Sequence, residues 1–178
     1  FPLPDGMIID DLAVENISWT PEVEISNNYF ARIPTRGILI TTRGKSIIKD
    51  NVFFRMPMSA ILVSDDARGW YESGPVRDLT ICGNTFFECG SPVIAVWPEA
   101  ERFDTPVHRN ITIEDNRFIL GEGSVAVSVR ESYSIIIRHN LFEIGNSDNA
   151  VSADSLVEVR NTSGFIMSDN HVEKRVGS

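Results

Sequence analysis

Short apolar runs recur along the chain, and one pattern recurs with them: an apolar residue, two variable residues, Asn, one variable residue, then Phe. It reads ISNNYF at 25–30, IKDNVF at 48–53, ICGNTF at 81–86, IEDNRF at 113–118 and IRHNLF at 137–142, with a worn copy, MSDNHV, at 167–172. The asparagines stand at 28, 51, 84, 116, 140 and 170, so the spacings are 23, 33, 32, 24 and 30 residues. After each of four Asn-x-Phe units comes a second apolar run: GILIT (37–41), AILVS (60–64), VIAVW (93–97) and VAVSV (125–129). These segments are rich in Val and Ile and alternate with period two, which is the signature of strands. Helical periodicity is almost absent. A repeat of twenty-odd residues built from short strands predicts one coil of a parallel β-helix. The expected fold is all-β: a right-handed, single-stranded parallel β-helix of about six coils, spanning 1–178 as one domain. Residues 1–20 are expected to form an irregular or terminal coil.

The columns of such a solenoid have separate physical roles. The Ile and Phe columns are expected inside, each buried side chain contributing roughly 1.5–3 kcal/mol. The Asn column is expected at a tight corner, because Asn tolerates a left-handed backbone. Stacked Asn side chains also hydrogen-bond along the ladder.

Register turns the columns into a surface. Eight and ten residues past the Phe lie Ile38 and Ile40, Ile61 and Val63, and Ile94 and Val96, all expected to point inward. Eleven on are Thr41, Ser64, Trp97 and Val129; twelve on are Thr42, Asp65, Pro98 and Arg130; thirteen on are Arg43, Asp66, Glu99 and Glu131. The coil from Phe118 is one residue out of phase, which makes Glu131 the least secure member. Neighbouring strands lie about 4.8 Å apart, so Arg43, Asp66 and Glu99 are expected along one edge, with Asp65 beside them. Carboxylates that close disfavour joint ionisation, which is how two acids divide into proton donor and base.

Two insertions follow this edge, at 67–78 and 100–110, and supply Trp70, Tyr71, Glu72, Phe103 and His108. Loops stacked on one edge build the walls of a pocket. Aromatic faces suit the C–H face of a sugar, and carboxylates and guanidinium groups suit its hydroxyls. The same aromatics would equally serve as loop core, and an Asp-Asp pair as a solvated turn. What favours the sugar site is that acids, aromatics and insertions converge. The candidate catalytic acids are therefore Asp65, Asp66 and Glu99; the candidate binding residues are Arg43, Trp70, Glu72, Trp97 and His108.

Bulk properties narrow the classes. The net charge of −9 and the scattered basic residues argue against a nucleic-acid partner. No apolar run is long enough to span a membrane. The 2 cysteines, Cys82 and Cys89, make neither a zinc set nor a disulfide framework and are expected as free thiols. No metal or cofactor site is read from the residues. The chain opens on Phe1 rather than Met, which predicts a longer gene product or a removed leader.

The segment RGILITTRGKSIIKDNVF, followed by ILVSDDARGWYESGPVRDLTICGNTFFECGSPVIAVWPE, resembles glycoside hydrolase family 110, the bacterial exo-acting α-1,3-galactosidases, which include enzymes that remove the terminal galactose of blood-group B antigens. The resemblance runs from about residue 20 to residue 142. It rests on the Asp-Asp pair, the Trp-aromatic-Glu-Ser-Gly loop and the Pro-Glu after the next strand. It implies a right-handed parallel β-helix, terminal α-galactosides of glycans as substrates, and a periplasmic or secreted location. It also implies inversion at the anomeric carbon, with a general acid and a general base falling on Asp65, Asp66 and Glu99 in an assignment left open. Family members are much longer, which implies that this chain is a segment of such an enzyme. A polysaccharide lyase on the same fold, using Ca²⁺ or a basic residue, and a non-catalytic carbohydrate-binding β-helix are the competing readings.

Overall fold

A computed structural model describes residues 16–66, 69–72, 74–100, 103–145 and 150–175. It contains three parallel sheets and, among the described residues, one short helical turn, a 3-10 segment at Ala153–Leu156. The first sheet holds β1 (Val23–Ser26), β4 (Ser46–Lys49), β7 (Leu79–Cys82), β10 (His108–Glu114), β13 (Ser132–Arg138) and β16 (Ser163–Ser168). The second holds β2 (Tyr29–Ala31), β5 (Val52–Phe54), β8 (Thr85–Phe87), β11 (Arg117–Ile119), β14 (Leu141–Ile144) and β17 (His171–Lys174). The third holds β3 (Ile38–Ile40), β6 (Ile61–Val63), β9 (Ile94–Val96), β12 (Val127–Arg130) and β15 (Val157–Arg160). Each strand pairs in parallel with the strand three later, so every coil visits the three sheets in turn. The described residues form six such coils, the last without a third strand.

The repeat pattern is the pairing register. Ile25, Ile48, Ile81, Ile113 and Ile137 are successive partners. The phenylalanines form an internal file, with ring centroids 4.9 Å apart for Phe30–Phe53, 5.1 Å for Phe53–Phe86, 4.8 Å for Phe86–Phe118 and 5.1 Å for Phe118–Phe142. Phe53, Phe86, Phe118 and Phe142 are fully buried. This spacing follows from the strand separation, and it explains why the first five coils repeat the same residue type, with Val172 ending the file in the sixth: a smaller side chain within it would leave a gap between two rings.

The asparagine ladder is continuous. Backbone N–H and side-chain Nδ2 of Asn51 both donate to Oδ1 of Asn84, at 2.9 and 3.0 Å. Asn84 donates in the same way to Asn116, Asn116 to Asn140, and Asn140 to Asn170. The expectation that Asn itself takes the left-handed conformation is corrected. The positive φ belongs to the residue before it: Asn27, Asp50, Gly83, Asp115, His139 and Asp169, with φ between 54° and 65°. The left-handed residue turns the corner, and the Asn that follows directs its amide along the stack.

Both cysteines are free, Cys89 buried and Cys82 half-buried. Among the described residues, no helix is long and apolar enough to cross a membrane.

Candidate active site

The third sheet carries the site. β3, β6 and β9 are in the expected register, Ile38↔Ile61↔Ile94 and Ile40↔Val63↔Val96. Their alternate residues point away from the core, so Leu39 and Leu62 face outward and are half-buried. Gly37 opens β3 because space is short there: a Cβ would lie 2.7 Å from the Ala60 carbonyl oxygen and 3.1 Å from the Phe53 ring.

Pairing does not stop where the strands do. Trp97 N–H donates to the Val63 carbonyl at 2.9 Å, and Glu99 N–H to the Asp65 carbonyl at 3.0 Å. Asp66 and Glu99 consequently form an isolated parallel bridge in adjacent coils. Asp66 organises the insertion that follows it. Its carboxylate accepts hydrogen bonds from Gly69 N–H (2.8 Å) and Trp70 N–H (2.9 Å), while its own N–H donates to the Glu72 carbonyl at 3.0 Å. A carboxylate so held has a fixed place and is 8% exposed. Glu99, by contrast, is exposed, and its carboxyl makes no hydrogen bond or ion pair among the described residues.

An open cavity of about 640 Å³ lies over these groups. Leu39 and Leu62 form its floor, with Ser64 beside them; Met58, Trp70 and Trp97 are apolar walls; Asp66, Glu72, Glu99 and Arg36 supply charge. The Arg36 guanidinium approaches the Glu72 carboxylate at 3.6 Å, joining the first coil to the insertion of the second. Trp70 is 81% exposed and Tyr71 69% exposed, so these aromatics do not pack as loop core.

The cavity thus gathers Asp66, Glu99, Trp70, Glu72 and Trp97 of the residues singled out in the sequence. Three stand elsewhere. The Asp65 carboxylate is turned from the cavity toward the insertion, where Oδ1 accepts from Gly74 N–H at 3.4 Å. Arg43 does not line the cavity. His108 is fully buried at the start of β10, where Nδ1 accepts from Val76 N–H at 3.1 Å and Nε2 has no hydrogen-bond partner among the described residues. Burial lowers its pKa to about 4, so it is a neutral core residue with no access to this cavity. Glu131 is out of register with Glu99, because β12 pairs Val129 with Val96 and places Arg130 beside Trp97. Arg36, Met58 and Leu39 were not foreseen: the first two come from turns outside the repeating columns, and Leu39 reads as an ordinary strand residue.

A parallel solenoid with acids, aromatics and an apolar floor on one outer face defines the class, and the chain belongs to the right handed beta helix region family, whose family model matches residues 12–142. More particular relatives share the region. It is 48% identical over 164 residues to "Alpha-1,3-galactosidase A" of Bacteroides thetaiotaomicron, covering 92% of this chain and 29% of that protein. It is 41% identical over 175 residues to the protein of that name from Streptomyces avermitilis, covering 97% and 28%. It is 48% identical over 141 residues to the one from Akkermansia muciniphila, covering 79% and 23%. The chain therefore spans less than a third of the length of each of these relatives.

Proposed function

We propose that the cavity is the galactose site of an α-1,3-galactosidase-like glycoside hydrolase, and that this chain is the segment of the β-helix bearing it. The observation that carries the reading is the bridge between Asp66 and Glu99 on the cavity, taken with the name of the relatives. Hydrolysis of a glycosidic bond needs one carboxyl group to protonate the leaving oxygen and another to take a proton from water or to attack the anomeric carbon. Glu99 offers a carboxyl with no hydrogen bond or ion pair among the described residues, and Asp66 a carboxylate fixed by two loop N–H groups. Asp65, one residue back, is the third acid of the set and braces the insertion through Gly74.

The substrate's apolar face rests on Leu39, Leu62 and the tryptophan rings, and its hydroxyls meet Arg36, Glu72 and Ser64. The reaction is inverting. The attacking water occupies the space between the carboxyls, which in inverting enzymes are about 6.5–9.5 Å apart. Backbones about 4.8 Å apart allow that separation when Asp66 is drawn into its loop and Glu99 extends away from it. The test uses the full-length protein and an α-1,3-linked galactoside, following by proton NMR the anomer released first. The β-anomer of galactose is expected; the α-anomer overturns inversion, and no release overturns the hydrolase reading.

A further inference from the structure

Trp97 is held from one side only. The cavity draws its other lining residues from the first two coils and from Glu99, whereas the groups that grip the Trp97 ring come from the coil after it. The Arg130 guanidinium lies over the ring, its carbon 4.3 Å from the ring centroid. The indole Nε1–H donates to Ser128 Oγ at 3.0 Å, and the Ser128 hydroxyl donates to Glu158 Oε2 at 3.2 Å. Ser128 is fully buried, and β12 is anchored by the buried Val127 and Val129 on either side of it.

Arg130 is unusual in what it lacks. Its Nε is buried with no hydrogen-bond partner, and the guanidinium makes no ion pair or hydrogen bond among the described residues. In a chain of net charge −9, a guanidinium beside an acidic site is expected to find a carboxylate. Here it is committed to the face of a tryptophan. A planar guanidinium stacks on an indole face, which is the strongest aromatic partner for a cation, and the stack covers one face of the ring.

We infer that Arg130, with Ser128, is a positioning residue that fixes Trp97 as the sugar-binding wall of the cavity and so sets affinity for the galactoside without touching it. The inference rests on the hydrolase reading above. It assigns a role to the fourth coil, which supplies no lining residue among the described ones: that coil is the support for the third.

The experiment is a double-mutant cycle in the full-length protein with an α-1,3-linked galactoside. Arg130→Met keeps the length of the side chain and removes the cation and the plane. It is expected to raise KM about three- to tenfold, the range a cation–π contact of this kind controls, with kcat within about twofold because uniform binding alone is lost. Arg130→Lys restores part of the effect. In a Trp97→Ala background, Arg130→Met changes KM no further. An effect that persists without Trp97 shows direct contact with the substrate and overturns the inference, as does an unchanged KM in the single variant. Should Arg130→Met fail to fold, Ser128→Ala carries the same cycle through the indole N–H. Hydrolysis with an unaltered KM removes this inference alone; absence of both hydrolysis and binding of the galactoside by the unsubstituted protein removes it together with the reading it rests on.

Discussion

Asp66 and Glu99 are bridge partners in adjacent coils, beyond the ends of the strands that carry them. The backbone ladder continues to them, with Trp97 N–H donating to the Val63 carbonyl and Glu99 N–H to the Asp65 carbonyl. The solenoid thus delivers two carboxyl groups to one cavity at a spacing set by backbone hydrogen bonding. Asp66→Asn keeps the size of the side chain but loses one of its two loop contacts, because an amide nitrogen cannot accept from an N–H. In the full-length protein this change is expected to lower turnover by at least about 10²-fold. Asp65→Asn is expected to lower turnover less, because its carboxylate faces Gly74 outside the cavity and the amide oxygen still accepts from that N–H. Steady-state rates with melting curves alongside check both.

Trp70→Ala separates wall from scaffold. The ring is 81% exposed, so stability is expected to change by less than about 0.5 kcal/mol. KM for the galactoside is expected to rise with kcat little altered. A melting curve and a Michaelis plot on the same preparation decide it.

Asn84→Leu strikes the ladder. Asn84 receives two hydrogen bonds from Asn51 and gives bonds to Asn116 and to the Ile48 and Cys82 carbonyls. Leucine leaves these buried groups unpaired, at a cost of roughly 1–3 kcal/mol. Chemical denaturation of this chain measures the loss.

Much of this was legible because a solenoid repeats its own contacts. Asn28 to Asn170 and Phe30 to Phe142 form files of one residue type, so stacking constrains the sequence at one position of each coil whatever the length of the turns between. The Asp66–Glu99 pairing was readable by counting from Phe53 and Phe86, since the turns between are equal in length. The left-handed corner was also written in the sequence, as Asn27, Asp50, Gly83, Asp115, His139 and Asp169, but it falls one residue before the Asn column. What counting could not reach were groups whose place depends on side-chain packing. Asp65 turns toward Gly74, His108 points inward to Val76, and Arg36 enters the cavity from a turn.

His108 makes stability depend on pH. Buried and neutral, it has a folded pKa of about 4, below the ordinary 6.5. The unfolded chain therefore binds the extra proton first as pH falls. Its contribution is complete above about pH 6.5 and is lost progressively between 6.5 and 4. Between pH 7 and 5 the loss is on the order of 2 kcal/mol. Denaturation of the unsubstituted chain and of His108→Leu at both values is expected to show a smaller pH dependence in the variant.

The most direct test is Glu99→Gln in the full-length protein, measured by galactose release from an α-1,3-linked galactoside. The amide keeps the shape of Glu99 and removes its proton chemistry, and no hydrogen bond or ion pair of the carboxyl is lost among the described residues. Turnover at least about 10²-fold lower, with unchanged melting, is the result expected for one half of an acid–base pair. Turnover within about threefold of the unsubstituted protein would contradict the assignment of Glu99 and, with it, the pairing across the two coils.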